Sequence, residues 1–161
     1  MNLFDDIDFQ LLRSKYGSSN ARLFINGHCH NFFMTHMFND PLQAICEATV
    51  LLAKEVNEVY FSWYDEPGQY DWKFTKAESK QYLLDVSIYK YSDMMGYYHQ
   101  QASSNKVIEE INFKVDRDFW IALVTLEIAK IAKLLTYDCY KVERDAHAFP
   151  WQELKQLKQN Y

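Results

Sequence analysis

The sequence feature that most constrains the fold is a pair of tryptophans on either side of a Pro-Gly dipeptide, in the segment FSWYDEPGQYDWKF at residues 61–74. Pro67-Gly68 suits the central positions of a type II turn, because proline presets φ at about −65° and glycine accepts positive φ. Closing this turn places Trp63 opposite Trp72 in a β-hairpin. Aromatic residues that face each other across antiparallel strands stabilise such a ladder. The segment therefore predicts a hairpin with both tryptophans on the core face.

Length and composition are those of a folded domain. The chain has 161 residues, of which 48% are hydrophobic and 17% aromatic, with only four Gly and three Pro. A chain of this length can bury a sizeable core, and this composition argues against disorder or low complexity. No internal repeat or linker divides the sequence, so we expect one domain over residues 1–161.

The first third of the chain contains a predicted helix, a hairpin and a second helix. Apolar residues at helical spacing predict a short helix over residues 4–16. Asn26-Gly27 is a favoured hairpin dipeptide and predicts a turn between two strands. Asp40 predicts a helix start, because its carboxylate can accept from the free amides and Pro41 tolerates the first helical position.

The remainder alternates strands and helices. Apolar residues alternate with polar ones over residues 81–91, and a further strand is predicted over residues 106–115. Asp116 or Asp118 is expected to cap the apolar helix over residues 119–136, and a short helix ends the chain. This order predicts an α+β fold with an antiparallel sheet of about five to six strands and helices packed mainly on one face.

Charge and apolar patterning exclude several functional classes. The net charge is −5 and the basic residues are scattered, which disfavours nucleic-acid binding. Charged residues interrupt the longest apolar stretch, residues 119–135, so it is too polar to span a bilayer. The acidic N-terminus is unlike a signal peptide, and the three cysteines form neither a disulfide framework nor a zinc pair. We therefore expect a cytoplasmic location.

Histidines near the first hairpin suggest a metal site that their spacing does not support. In a strand, His28 and His30 share a face and could supply two ligands. His36 lies about 20 Å from the hairpin tip, at about 3.3 Å per residue along the strand. A third ligand would have to come from elsewhere, so we predict no metal site and no cofactor.

Motifs for catalysis are missing from the sequence. No GxSxG, P-loop, GxGxxG or HExxH pattern occurs. Asp65, Glu66 and Asp71 would be well solvated at an exposed turn, with little reason for pKa values suited to acid–base work. We therefore predict that the chain is not an enzyme. The alternative is a hydrolase whose site assembles from distant residues around His28 and His30.

The high tyrosine content is the remaining functional signal. Tyrosine is enriched at protein interfaces because one end is apolar and the other forms hydrogen bonds. The tyrosines on the less apolar strand face or in the predicted loop over residues 92–105 are Tyr60, Tyr64, Tyr89, Tyr91, Tyr97 and Tyr98. A helix that buried this face would account for them equally well. The candidate partner contacts are Asp65, Glu66, Asp71, Tyr64, Tyr97 and Tyr98.

The W-x-x-E-P-G-x-Y-x-W segment resembles a hairpin of small bacterial α+β proteins, in which an aromatic-Pro step such as Phe149-Pro150 precedes the last helix. The order of elements is similar to that of immunity proteins of bacterial toxin systems, including contact-dependent inhibition. The resemblance implies a non-enzymatic protein that binds and neutralises a cognate toxin, and the acidic clusters favour a basic toxin domain. A structural or regulatory homodimer is the alternative use of the same tyrosines. No functional residue carries over from the resemblance.

Overall fold

Two antiparallel sheets and four helices make up the part of the chain that the computed structural model describes, residues 3–93, 106–144 and 148–159. The strands are β1 (Ile7–Arg13), β2 (Ser18–Ile25), β3 (His28–Thr35), β4 (Glu58–Tyr64), β5 (Gln69–Lys76), β6 (Leu83–Tyr91) and β7 (Val107–Asp116). The helices are α1 (Pro41–Ala53), α2 (Arg117–Leu134), α3 (Asp138–Lys141) and α4 (Trp151–Gln159). None of these helices is long and apolar enough to cross a membrane.

The α+β class is confirmed, but the expected single sheet of about five to six strands is wrong. The described strands form a three-stranded sheet in the order β1-β2-β3 and a four-stranded sheet in the order β4-β5-β6-β7. Helix α1 separates β3 from β4 along the chain. At the edge of β4, the side chain of Asn39 donates to the Ser62 carbonyl at 2.9 Å. Among the described strands, no ladder joins β3 to β4.

Strand β1 occupies the segment for which a helix was predicted, and that prediction was wrong. Ile7, Phe9, Leu11 and Arg13 are buried, while the residues between them are exposed or half-buried. This alternation has the period of a strand. Pairing with β2 over the whole of β1 satisfies its backbone groups. Apolar residues spaced for a helix also fitted a strand here, and the tertiary pairing decided between the two.

The two predicted hairpins both form. The Asn26-Gly27 turn connects β2 to β3, and both residues have positive φ, 49° and 83°. The turn after β4 differs from the expected type II turn. The Asp65 amide donates to the Gly68 carbonyl at 3.1 Å, and the peptide bond before Pro67 is cis. Proline therefore occupies the third turn position, as in a type VI turn, and the expected turn type was wrong.

This turn shifts the hairpin register by two residues. Trp63 pairs with Tyr70 and Trp72 pairs with Phe61, so the expected direct opposition of the tryptophans was wrong. Side chains alternate with a period of two, so the shift leaves both tryptophans on the same face. Both are fully buried, and their ring centroids lie 5.1 Å apart in an edge-to-face arrangement. Their expected place on the core face is confirmed.

Helices α1, α2 and α4 begin close to where the sequence predicts, and they pack on the core side. Asp40 accepts hydrogen bonds from the amides of Leu42 and Gln43, which confirms it as the cap of α1. Asp116, rather than Asp118, caps α2 by accepting from the Phe119 amide. Helix α1 packs against β4 and α2, helix α2 against β1, and helix α4 against α1 and α2.

Trp72→Ala is expected to lower the free energy of unfolding by about 3–5 kcal/mol, the usual loss for a large buried aromatic side chain. The ring is fully buried and contacts both sheets. Trp151→Ala is the matched control, because Trp151 is 46% exposed. Denaturant unfolding of both variants measures the difference, and equal losses would contradict this account of the core.

Candidate functional site

The outer face of the four-stranded sheet carries all four of the described tyrosines that the sequence singled out. Pairing aligns Ser62, Asp71, Tyr89 and Glu110 in one row across β4 to β7. The two adjacent rows add three more tyrosines: Tyr64 and Tyr91 on one side, and Tyr60 on the other. We call the outward side chains of β4 to β7 the tyrosine face. Its four tyrosines lie on three consecutive rows, so a single partner surface can contact all of them.

Tyr60 is the most exposed of these four tyrosines, with 60% of its surface accessible, and its neighbours hold it in place. Its hydroxyl donates to the Glu58 carboxylate at 2.9 Å. The Lys73 ammonium lies over its ring, 5.6 Å from the centroid. A ring oriented in this way loses little conformational entropy when a partner binds.

The hairpin-tip carboxylates differ in their surroundings. Asp65 is half-buried and hydrogen-bonded to the Tyr70 hydroxyl, so the expectation that it is a solvated tip residue was wrong. Burial and the Asp65 charge raise the pKa of Tyr70. A Cβ atom at Gly68 would lie 2.2 Å from the Asp65 carboxylate, so a larger residue would require this carboxylate to move. Asp71 is half-buried and accepts from the Ser62 hydroxyl at 2.6 Å, whereas Glu66 is exposed.

The other two candidate contacts, Tyr97 and Tyr98, lie outside the described residues, as does most of the predicted loop over residues 92–105. In the described ranges, no three His, Cys, Asp or Glu side chains are placed to hold a metal ion. His28 is exposed and His30 is half-buried, both at the end of the first sheet.

A second feature, which the sequence did not reveal, is a line of three polar side chains. The Ser19 hydroxyl lies 2.8 Å from His36 Nε2, and His36 Nδ1 lies 3.9 Å from the Asp40 carboxylate. Nucleophile, base and orienting carboxylate follow this order in serine hydrolases. The line depends on the pairing of β2 with β3, which brings Ser19 close to residues that follow β3. Spacing along the chain gave no signal for it.

The burial of Ser19 argues against catalysis by this line. Its side chain is fully buried and does not line the neighbouring cavity of about 220 Å³, whose wall includes His36 and Asp40. The Asp40 carboxylate also caps α1 and lies 3.9 Å from the guanidinium of buried Arg13. In this structure the hydroxyl has no path to a substrate. We therefore interpret the line as a connection that holds β2, β3 and the start of α1 together.

Asp40→Ala is expected to lower the free energy of unfolding by about 1–2 kcal/mol, because the first amides of α1 lose their acceptor. Asp40→Asn keeps an acceptor oxygen and should lose less. Glu47→Ala removes an exposed carboxylate from the same helix and serves as the control. Thermal and denaturant unfolding distinguish the variants. An equal loss of unfolding free energy in the Ala and Asn variants would show that Asp40 stabilises the protein through its charge and not through its hydrogen bonds to the α1 amides.

The three cysteines differ in burial, which gives a test of the α1 packing. Cys46 is fully buried in α1, and burial raises the pKa of its thiol, whereas Cys29 and Cys139 are exposed. Because the thiolate is the reactive form, Cys29 and Cys139 should react with a thiol reagent in the native protein. Cys46 should react only after unfolding. Mass spectrometry of the alkylated protein checks this, and rapid labelling of Cys46 would contradict its placement.

No protein-family model, curated protein or solved structure matches this chain. The roles assigned to its residues therefore rest on geometry and chemistry. The tyrosine face is the candidate functional site, because it combines exposed or half-buried tyrosines with acidic side chains on one face of a sheet.

Proposed function

We propose that the chain is a non-enzymatic protein-binding domain that docks a basic partner on the tyrosine face, and that it acts as an immunity protein that neutralises a cognate bacterial toxin. The observation that carries the proposal is the set of four tyrosines on adjacent rows of one sheet face. The helices pack toward the other face, where the Trp63 indole donates to the Pro41 carbonyl at 2.9 Å.

Tyrosines on a sheet suit a binding surface for physical reasons. Each ring offers a large apolar area, and its hydroxyl can replace the hydrogen bonds that a partner loses when water is excluded. A few such anchors supply most of the affinity of a typical protein interface. The strands beneath them are paired on both sides in β5 and β6, so the surface is formed before a partner arrives.

The charge of the tyrosine face favours a basic partner. Lys73 lies 3.8 Å from Glu58, and Lys114 lies 3.5 Å from Asp85, so the charges of these pairs offset each other. The central row carries two carboxylates, Asp71 and Glu110, and no described Lys or Arg lies within ion-pair distance of either. Two uncompensated negative charges among tyrosines accelerate encounter with a positive surface.

The proposal is tested with the protein encoded by the gene adjacent to that of this chain, expressed in a bacterial host. If that protein arrests growth, the wild-type chain should restore growth and form a complex with it. The Tyr60→Ala, Tyr89→Ala double variant should weaken the complex by about 2 kcal/mol or more, the size of a hot-spot loss.

Tyr137→Ala is the matched control, because Tyr137 is 52% exposed and follows α2, away from the tyrosine face. Far-ultraviolet circular dichroism confirms that all variants fold. Equal protection by the double variant and the control would contradict the docking surface. A neighbouring protein that does not arrest growth would contradict the immunity role. Loss of a wild-type homodimer in the double variant would favour the homodimer alternative.

A further inference from the structure

Strand β7 forms an edge of the four-stranded sheet, and a short part of that edge, at Lys114, is covered. The Asp5 amide donates to the Lys114 carbonyl at 2.9 Å, and the Lys114 amide donates to the Asp5 carboxylate at 2.7 Å. The backbone groups of Lys114 therefore point away from β6. In an antiparallel strand this direction recurs at every second residue, so those of Asn112 and Glu110 point the same way.

The covering segment stops at Lys114. The Asn26 side chain donates to the Asp5 carboxylate at 2.8 Å and accepts from the Asp6 amide at 2.9 Å, which holds the segment beside the β2–β3 turn. Among the described residues, none forms a backbone hydrogen bond to the outward groups of Asn112 or Glu110. Unpaired edge groups of this kind are a template for another strand.

The open stretch of β7 borders a groove of about 530 Å³ between this strand and the β2–β3 turn. Its floor includes Ile25 and Ile111, which are 9% and 8% exposed. One wall carries the exposed carboxylates of Glu109 and Glu110, and His28 lies on the other. We call this feature the β7 groove. An apolar floor, an acidic wall and unpaired backbone groups lie together in it.

We propose that the β7 groove binds an extended basic segment of a partner protein, which adds to β7 as a further strand. The β7 groove borders the tyrosine face and shares Glu110 and Asn112 with it, but its occupant would bind to the open backbone edge and not to the tyrosines. Main-chain groups of the segment bond to Glu110 and Asn112, and alternate side chains point to opposite faces. Apolar side chains then lie on the isoleucine floor, and Lys or Arg side chains on the opposite face of the segment contact Glu110.

Charge argues for a basic segment rather than a second copy of this chain. Two β7 edges paired side by side would bring the Glu109 and Glu110 carboxylates of both copies together, and like charges opposite each other destabilise a ladder. A segment with Lys or Arg at alternate positions neutralises the Glu110 carboxylate instead. The groove therefore selects its occupant by charge as well as by backbone pairing.

The probe is a short fluorescent peptide of alternating Lys and Val, titrated into the full chain and followed by anisotropy. Two control peptides separate the contribution of backbone pairing from that of charge. One carries N-methylated amides on the edge that would bond to β7, and the other has Glu in place of Lys. Cys29 lines the groove, whereas exposed Cys139 lies in α3. Alkylation of Cys29 should slow when the peptide binds, and alkylation of Cys139 should not.

Four variants, two tests and two controls, examine the assignment within the protein. Asn112→Pro removes an amide that points away from β6, so the β6–β7 ladder is retained, and proline is tolerated on such an edge. Asn112→Ala controls for loss of the side chain. Glu110→Lys reverses one wall charge, and Glu78→Lys makes the same change at an exposed position outside the groove.

We expect the Lys-Val peptide to bind, and Asn112→Pro and Glu110→Lys each to weaken binding by about tenfold, a change of about 1.4 kcal/mol. The two control variants should bind as the wild type does, and neither control peptide should bind. Equal binding of the N-methylated peptide, or no binding of the Lys-Val peptide, would overturn strand addition. If the wild-type protein forms a dimer and Asn112→Pro abolishes it, the occupant of the groove is a second copy of this chain and not a basic segment, which would overturn the proposal. The assay needs no toxin, so its failure leaves the tyrosine-face proposal to be tested separately.

Discussion

The indole ring of Trp72 lies where three parts of the structure meet. It contacts Phe9 and Phe32 of the three-stranded sheet and Trp120 of α2, with centroids 5.5–6.5 Å apart. Among the described residues its indole N–H has no hydrogen-bond partner, which costs about 1–3 kcal/mol. Burying about 150–250 Å² of ring surface stabilises the folded state by about 4–6 kcal/mol, which is more than the cost of the unpaired N–H group. This packing buries one face of the four-stranded sheet in the core. The period of two then directs the tyrosines to the other face.

Local sequence signals predicted the elements whose stability is local. Asp40 and Pro41 located the start of α1, and Asn26-Gly27 located the first hairpin turn, because caps and tight turns depend on a few adjacent residues. The helix predicted over residues 4–16 was wrong, since pairing with β2 overrode apolar spacing that fitted both structures. The division into two sheets depends on contacts between distant segments, which no local pattern records.

The candidate site was predictable only in part, for the same reason. Alternation along β4 and β6 is enough to assign Tyr60, Tyr89 and Tyr91 to the polar face, and strand pairing brings them onto adjacent rows. The hairpin register differs by two residues from the expected one, and the carboxylate of Asp65 lies beside Gly68 instead of reaching solvent. The β7 groove is formed by elements far apart in the chain, and sequence reasoning had no signal for it.

The central claim is that a partner contacts the tyrosine face, and site-specific photo-crosslinking tests it most directly. Benzoylphenylalanine in place of Tyr60 or Tyr89 keeps an aromatic ring on the face, and the same substitution at Tyr137 is the control. Irradiation of the complex with the adjacent-gene product should crosslink the partner from the two face positions and not from the control. Crosslinking from the control alone would place the interface elsewhere and contradict the account.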